Sequence, residues 1–134
     1  MLVAPAQFLM AHLIVQSAWN PPYSWSASNI SELGLVTCGV QDSVGRYICS
    51  PLHTLMNASF VLTGLFLLTG VFLTRASWPP QRARAGGVLI AIAAAGWVVT
   101  GAFPADVNED VHVVLGAVPI FFAGNFGLLL MGLT

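Results

Sequence analysis

Four runs of this chain, about residues 1–19, 52–74, 86–103 and 111–133, contain no Asp, Glu, Lys or Arg. Each is close to the roughly 20 residues that a helix, rising about 1.5 Å per residue, needs to cross a hydrocarbon core about 30 Å thick. None shows the alternating pattern of a membrane β-strand, so helices are expected. The charged residues are 7% of the chain, against roughly 25% in soluble domains, and all of them fall in the connections. Too few charges remain to cover a soluble surface, and lipid is the solvent that fits. The first run lacks the basic leader of a signal peptide and is read as a span. The expected fold class is all-α: an integral membrane bundle of four transmembrane helices in one domain over 1–134.

Orientation follows from one loop. Residues 75–85 hold Arg75, Arg82 and Arg84 and no acid. Short loops rich in Lys and Arg stay cytoplasmic, so this loop is placed inside, at the plasma membrane, with both termini on the same side. The connections 20–51 and 104–110 then lie outside. A net charge of -1 offers no basic face, and nucleic acid is excluded as a partner.

The long outer connection is polar. Trp19, Tyr23 and Trp25 suit the headgroup zone, where an amphipathic ring meets both phases. Ser28 followed by Glu32 resembles a helix start, with Ser28 as the cap. Cys38 and Cys49 are the only cysteines, and outside the cytoplasm an even pair is expected to be oxidised. Glycines recur inside the spans, among them Gly64, Gly96, Gly116, Gly124 and Gly127. In lipid, small residues let helix backbones approach, and the glycine- and alanine-rich third span should be the most tightly packed. Pro119 should kink the fourth.

His53 and Asn57 lie four apart and share one helix face. Asp106, Asn108, Glu109, Asp110 and His112 crowd the turn between the last two spans. If the second and fourth spans are neighbours, His53, Asn57, Asp106 and His112 meet at one depth. Two readings compete. In one, these side chains fasten the outer connection to the bundle. In the other, they form a catalytic site, with His53 and His112 as ligands of a metal ion. No named catalytic motif supports the second reading, and no other cofactor is expected. His12 and Gln16, one turn apart in the first span, should hydrogen-bond across to a neighbouring helix, as should Asn125 in the fourth.

In order along the chain stand Tyr23-Ser24, Asn29-Ile-Ser-Glu-Leu-Gly34, Cys49-Ser-Pro-Leu-His53 with Met56-Asn57, Gly101-Ala-Phe-Pro104, and His112 with Gly116-Ala117. This pattern resembles the prokaryotic membrane family "domain of unknown function 998" and covers nearly the whole chain. Its motif positions here are Ser31, Glu32, Gly34, His53, Asn57, Pro104 and His112. What the resemblance implies is a protein of about six spans, so four here, at roughly 20 residues each, imply a natural chain that continues further. The family is distantly similar to the Frag1/DRAM/Sfk1 group, which implies a link to membrane lipids.

The function expected from all this is a non-catalytic subunit or scaffold. It would pack within a larger membrane complex, with membrane lipids and other membrane protein subunits as its partners. The alternative is a lipid-handling or metal-dependent membrane enzyme with an outer-face His/Asn/Asp site.

Overall fold

The structure is a computed structural model that describes residues 2–78 and 81–133. Met1, at the start of the first expected span, and Pro79 and Pro80, within the expected 75–85 loop, lie outside the described residues, as does Thr134. Four helices make up most of the chain. α1 spans Val3–Ser17, α2 His53–Thr74, α3 Gln81–Ala102 and α4 Val118–Gly132. The last continues a π-helical stretch, Val111–Ala117.

Three helical segments are long and apolar enough to cross a membrane: His53–Ser77, Gln81–Ala102 and Val111–Gly132. α1 is equally apolar but has 15 residues, about 22 Å of helix. The third helix starts earlier than the apolar run does. Arg82 and Arg84 therefore belong to the first turns of α3 rather than to a loop, and Arg75 opens a short 3-10 turn, Arg75–Ser77.

α3 is the middle of the bundle. α2 and α4 both pack along it and barely touch each other, while α1 lies along α2. Glycines set these distances. A Cβ at Gly64 would stand 2.5 Å from the Ala94 carbonyl oxygen, and one at Gly96 would stand 2.7 Å from that of Gly116. Hydrophobic burial drives little in lipid, so such close backbone contact supplies the packing instead.

The chain is mostly helical, as expected, with one small addition. The long connection carries a 3-10 helix, Ile30–Gly34, and a two-stranded antiparallel hairpin of β1, Gly39–Gln41, and β2, Arg46–Ile48. Three-residue strands leave almost no period to read in the sequence of the connection. Gly45 takes φ +63° at the turn, a left-handed conformation that glycine adopts without a Cβ clash. The 3-10 helix starts one residue later than the cap expected at Ser28 would place it, and Glu32 lies in its first turn. Asn29 holds the cap position, and the Ser28 hydroxyl accepts the Ser24 N–H at 3.4 Å instead.

The principal core sits at one end of the bundle, under this connection. Val15 and Trp19 from the end of α1, Leu33, Leu35 and Ile48 from the connection, and Met56 and Phe60 from α2 are buried together. Phe8 of α1 joins Phe60 and Trp97 in an aromatic cluster with centroids 5.2–5.9 Å apart. The connection thus forms a packed cap over one end of the bundle. All five carboxylates of the chain lie in this cap or in the neighbouring α3–α4 turn, and Arg75, Arg82 and Arg84 mark the opposite end.

Pro119 acts differently from a simple kink. The chain widens into the π turn just before it, and the Val118 N–H bonds the Val113 carbonyl, five residues back. The shift takes up the register that the missing proline N–H would otherwise break.

Candidate functional site

His53, Asn57, Asp106 and His112 all lie at the cap end, but only Asp106 and His112 share a groove. α3 stands between α2 and α4, so His53 and His112 sit on different sides of it. Among the described residues no group of three His, Cys, Asp or Glu side chains is placed to hold a metal ion.

Asp106 is a fastener. Its Oδ2 accepts the Val36 N–H at 2.9 Å and both the N–H and the hydroxyl of Thr37 at 2.7 Å. Partial burial pushes its carboxyl pKa up, but the bonds from Thr37 and Val36 outweigh that, and the value falls below the ordinary one. Asn57 does similar work one helix away. Its Nδ2 donates to the Gly34 carbonyl at 2.8 Å, and a Cβ at Gly34 would overlap the Asn57 amide. Gly34 is thus the residue that lets the cap descend onto α2.

His53 donates from Nδ1 to the Ser50 carbonyl at 2.9 Å, the same carbonyl that takes its backbone N–H, and so ties the start of α2 to the end of the connection. His112 is 4% exposed and donates from Nδ1 to the Phe103 carbonyl at 2.8 Å. A carbonyl can only accept, so in the neutral ring the proton sits on Nδ1 and Nε2 keeps its lone pair. Nε2 of His112 has no protein partner among the described residues.

Glu32 is buried at 5% exposure and pairs with Arg46, whose Nη2 lies 2.5 Å from its Oε2. Burial raises the Tyr23 hydroxyl above its ordinary pKa, and the neighbouring Glu32 charge adds to that against the opposing Arg46. Ser31 lines the groove described below, and the buried Pro104 offers its carbonyl to the N–H groups of Val107 and Asn108 in the α3–α4 turn.

Between the hairpin and the α3–α4 turn lies an open groove of about 850 Å³. Glu32, Thr37, Val40, Asp106, Glu109 and His112 are among its walls. Its carboxylates are balanced only by Arg46 behind Glu32, so the groove is acidic. His53 and Asn57 do not line it.

The Cys38 and Cys49 sulfurs are at bonding distance, 1.96 Å, with Cα atoms 4.3 Å apart. Gly39 pairs with Ile48 in the hairpin, so the disulfide is the next rung of the same ladder and closes its open end.

Several residues that hold the cap escaped the sequence reading. The buried Ser50 accepts the Trp19 indole N–H at 3.1 Å and donates to the Leu33 carbonyl at 2.6 Å, tying three segments together. A serine beside a cysteine gives no signal of such a role. Gln7, not His12 or Gln16, bonds across to α2: its amide reaches Thr63 Oγ1 at 2.6 Å and accepts from Ser59 at 3.0 Å. The His12 ring stacks on Trp25 instead, with centroids 4.3 Å apart. Its Nε2 and the Gln16 Oε1 are buried without a partner among the described residues. Asn125 bonds back to the Phe121 carbonyl of its own helix at 2.5 Å rather than to a neighbour.

No curated protein and no solved structure matches the chain. The family model described as "Protein of unknown function (DUF998)" matches residues 2–133, from the first turn of α1 to the end of α4, and the chain belongs to that family.

Proposed function

We propose that the protein is a non-catalytic membrane component whose cap docks other membrane subunits. The observation that carries this reading is how the polar candidates are used. Asp106 is spent on Val36 and Thr37, Asn57 on Gly34, and His53 on Ser50. These bonds fix a cap, and the oxygens they leave over, Asn57 Oδ1 and Asp106 Oδ1, are buried rather than presented to a substrate. The cap then presents an apolar tip. Val40 and Tyr47 are cross-strand partners, 67% and 50% exposed, with Val44 at the turn and Val107 facing them across the groove. Single exposed apolar residues are ordinary, whereas a grouped patch outside the membrane marks an interaction surface.

The orientation that goes with this role puts the cap outside and the arginine end inside the plasma membrane, by the positive-inside rule. α1 is the fourth crossing, its short length met by local thinning of the bilayer. An impermeant thiol reagent should reach Ala85→Cys only in permeabilised cells. Labelling from outside would reverse the topology.

Purification in mild detergent tests the role. A partner membrane protein should co-purify at fixed stoichiometry and be lost when Val40→Glu and Tyr47→Glu are combined. A chain that carries lipid alone, or a partner indifferent to both substitutions, would end this reading.

One observation favours a second reading, a lipid-handling or metal-dependent enzyme. The Nε2 lone pair of His112 is unpartnered beside the acidic groove, with Nδ1 held by a backbone carbonyl as in many metal-ligating histidines. Under it, His112→Gln removes activity or a bound metal and leaves the fold intact. His53→Gln, outside the groove, affects stability alone.

A further inference from the structure

At the arginine end, a second groove of about 400 Å³ is lined by Val71 and Arg75 at the close of α2, by Trp78, and by Arg84, Gly87 and Ala91 of α3. The Trp78 ring lies over Gly87, where any Cβ would collide with it, and so forms one wall. The Trp78 carbonyl accepts the Arg84 Nε–H at 3.4 Å. That uses one of the five guanidinium donors and leaves the terminal pair open. The Arg75 guanidinium sits 3.9 Å above the Phe72 ring and has no carboxylate or carbonyl partner among the described residues. No acidic residue lines the groove, and none lies anywhere between residues 43 and 105.

The groove does not end at the arginines. A depression of about 530 Å³ shares Val71, Arg75 and Ala91 with it and continues past Phe72 to Leu68. From Arg75 to Leu68 is about 10 Å along α2, directed toward the middle of the helix. Two unneutralised guanidiniums thus stand at the head of an apolar trough, with an interfacial tryptophan beside them. Water-soluble anions would find the head of this site but have no use for the trough. A peptide would meet two arginines and little else to bond its backbone.

We propose that this groove binds one anionic phospholipid, with its phosphate on Arg75 and Arg84 and an acyl chain laid along Val71 and Ala91 toward Leu68. Charge complementarity chooses an anionic headgroup over a zwitterionic one. The depth of the trough chooses a lipid over a free phosphate. Basic pockets between helices at a membrane surface are built for such headgroups.

The test uses the full chain in bilayer nanodiscs of phosphatidylcholine, titrated with phosphatidylglycerol and read by native mass spectrometry. One phosphatidylglycerol should be retained per chain. Arg75→Gln and Arg84→Gln should each weaken that binding tenfold or more. Arg82→Gln, exposed on the same turns but outside the groove, should cost no more than the roughly fivefold expected of a charge merely near the surface. Ala91→Phe keeps every charge and fills the trough, and it should block binding while the thermal transition in pure phosphatidylcholine stays unchanged. Equal losses for all three arginine variants would overturn the site in favour of diffuse attraction. Undiminished binding by the Ala91 variant would overturn the trough.

Discussion

Asp106 receives the Thr37 amide and the Thr37 hydroxyl on one oxygen, each at 2.7 Å, across 69 residues of sequence. This carboxylate is what joins the cap to the α3–α4 turn. Its bonds favour the ionised form, so the folded-state pKa lies below the unfolded one. The linked stability is therefore fully present above the ordinary aspartate range. It is lost as the pH falls through the depressed folded value. Melts on an acid series should show the wild type losing an increment that Asp106→Asn lacks throughout. At neutral pH that substitution should cost about 1.5–3 kcal/mol, the range for a charge-assisted bond. Parallel acid profiles for the two proteins would contradict the assignment.

The Glu32–Arg46 pair predicts an asymmetry. Glu32 is the buried partner, while the Arg46 side chain keeps 34% of its exposure. Arg46→Ala strands a carboxylate in the cap and should cost about 3 kcal/mol, the low end for a broken buried pair. Removing both charges, as Glu32→Leu with Arg46→Met, should cost less than Arg46→Ala alone. Chemical denaturation of the three variants gives the comparison, and a double variant worse than the single one would refute it.

Reduction should loosen the hairpin first. Strands of three residues do not stand alone, and the Cys38–Cys49 bond closes their ladder. Intact mass and alkylation should reveal no reactive thiol until reductant is added. The loop it closes is short, so reduction should lower stability by about 2–3 kcal/mol without releasing Thr37 from Asp106. Two thiols reactive in protein taken directly from its membrane would count against an exported cap.

Glycines in the spans should differ by what faces them. At Gly96 the nearest obstacle to an added methyl is the Gly116 backbone carbonyl, 2.7 Å away, which cannot step aside. Gly96→Ala should force α3 and the π stretch apart and cost about 1–3 kcal/mol. Gly124 meets only the Ala93 methyl at 3.4 Å, and Gly124→Ala should be close to neutral or slightly stabilising through helix propensity. Thermal transitions in one detergent would separate the two.

The long apolar helices, the sidedness of charge and the cysteine pairing could all be read from the chain, because each rests on composition over many residues or on a pair with no competitor. The order of helices around the bundle could not. It depends on glycines of α3 facing both neighbours, and nothing local to His53 or His112 announces that α3 will separate them. The cap bonds were legible only in half. Asp106 and Asn57 stood out as polar residues near a boundary, but most of their partners are backbone groups, of Val36, Thr37 and Gly34, and backbone carries no sequence signal. Ser50 and Gln7 were silent for another reason, since neutral polar residues are common and their bonds, to Trp19 and to Ser59 and Thr63, span long separations.

The aromatic core, the disulfide, the ion pair and the Asp106 clasp are all at one end. The far end holds a gap of about 310 Å³ between Val3, Phe66, Gly70, Trp78, Leu128 and Met131. That gap separates the far ends of α1, α2 and α4, whereas α3 and α4 still meet backbone to backbone at Gly86 and Gly127. Mechanically the molecule is a clothes-peg, shut at the cap and along one seam, and sprung where α1 and α2 leave the cap. Amide exchange should therefore be faster toward Leu73 than around Phe60 or along the Gly86–Gly127 seam.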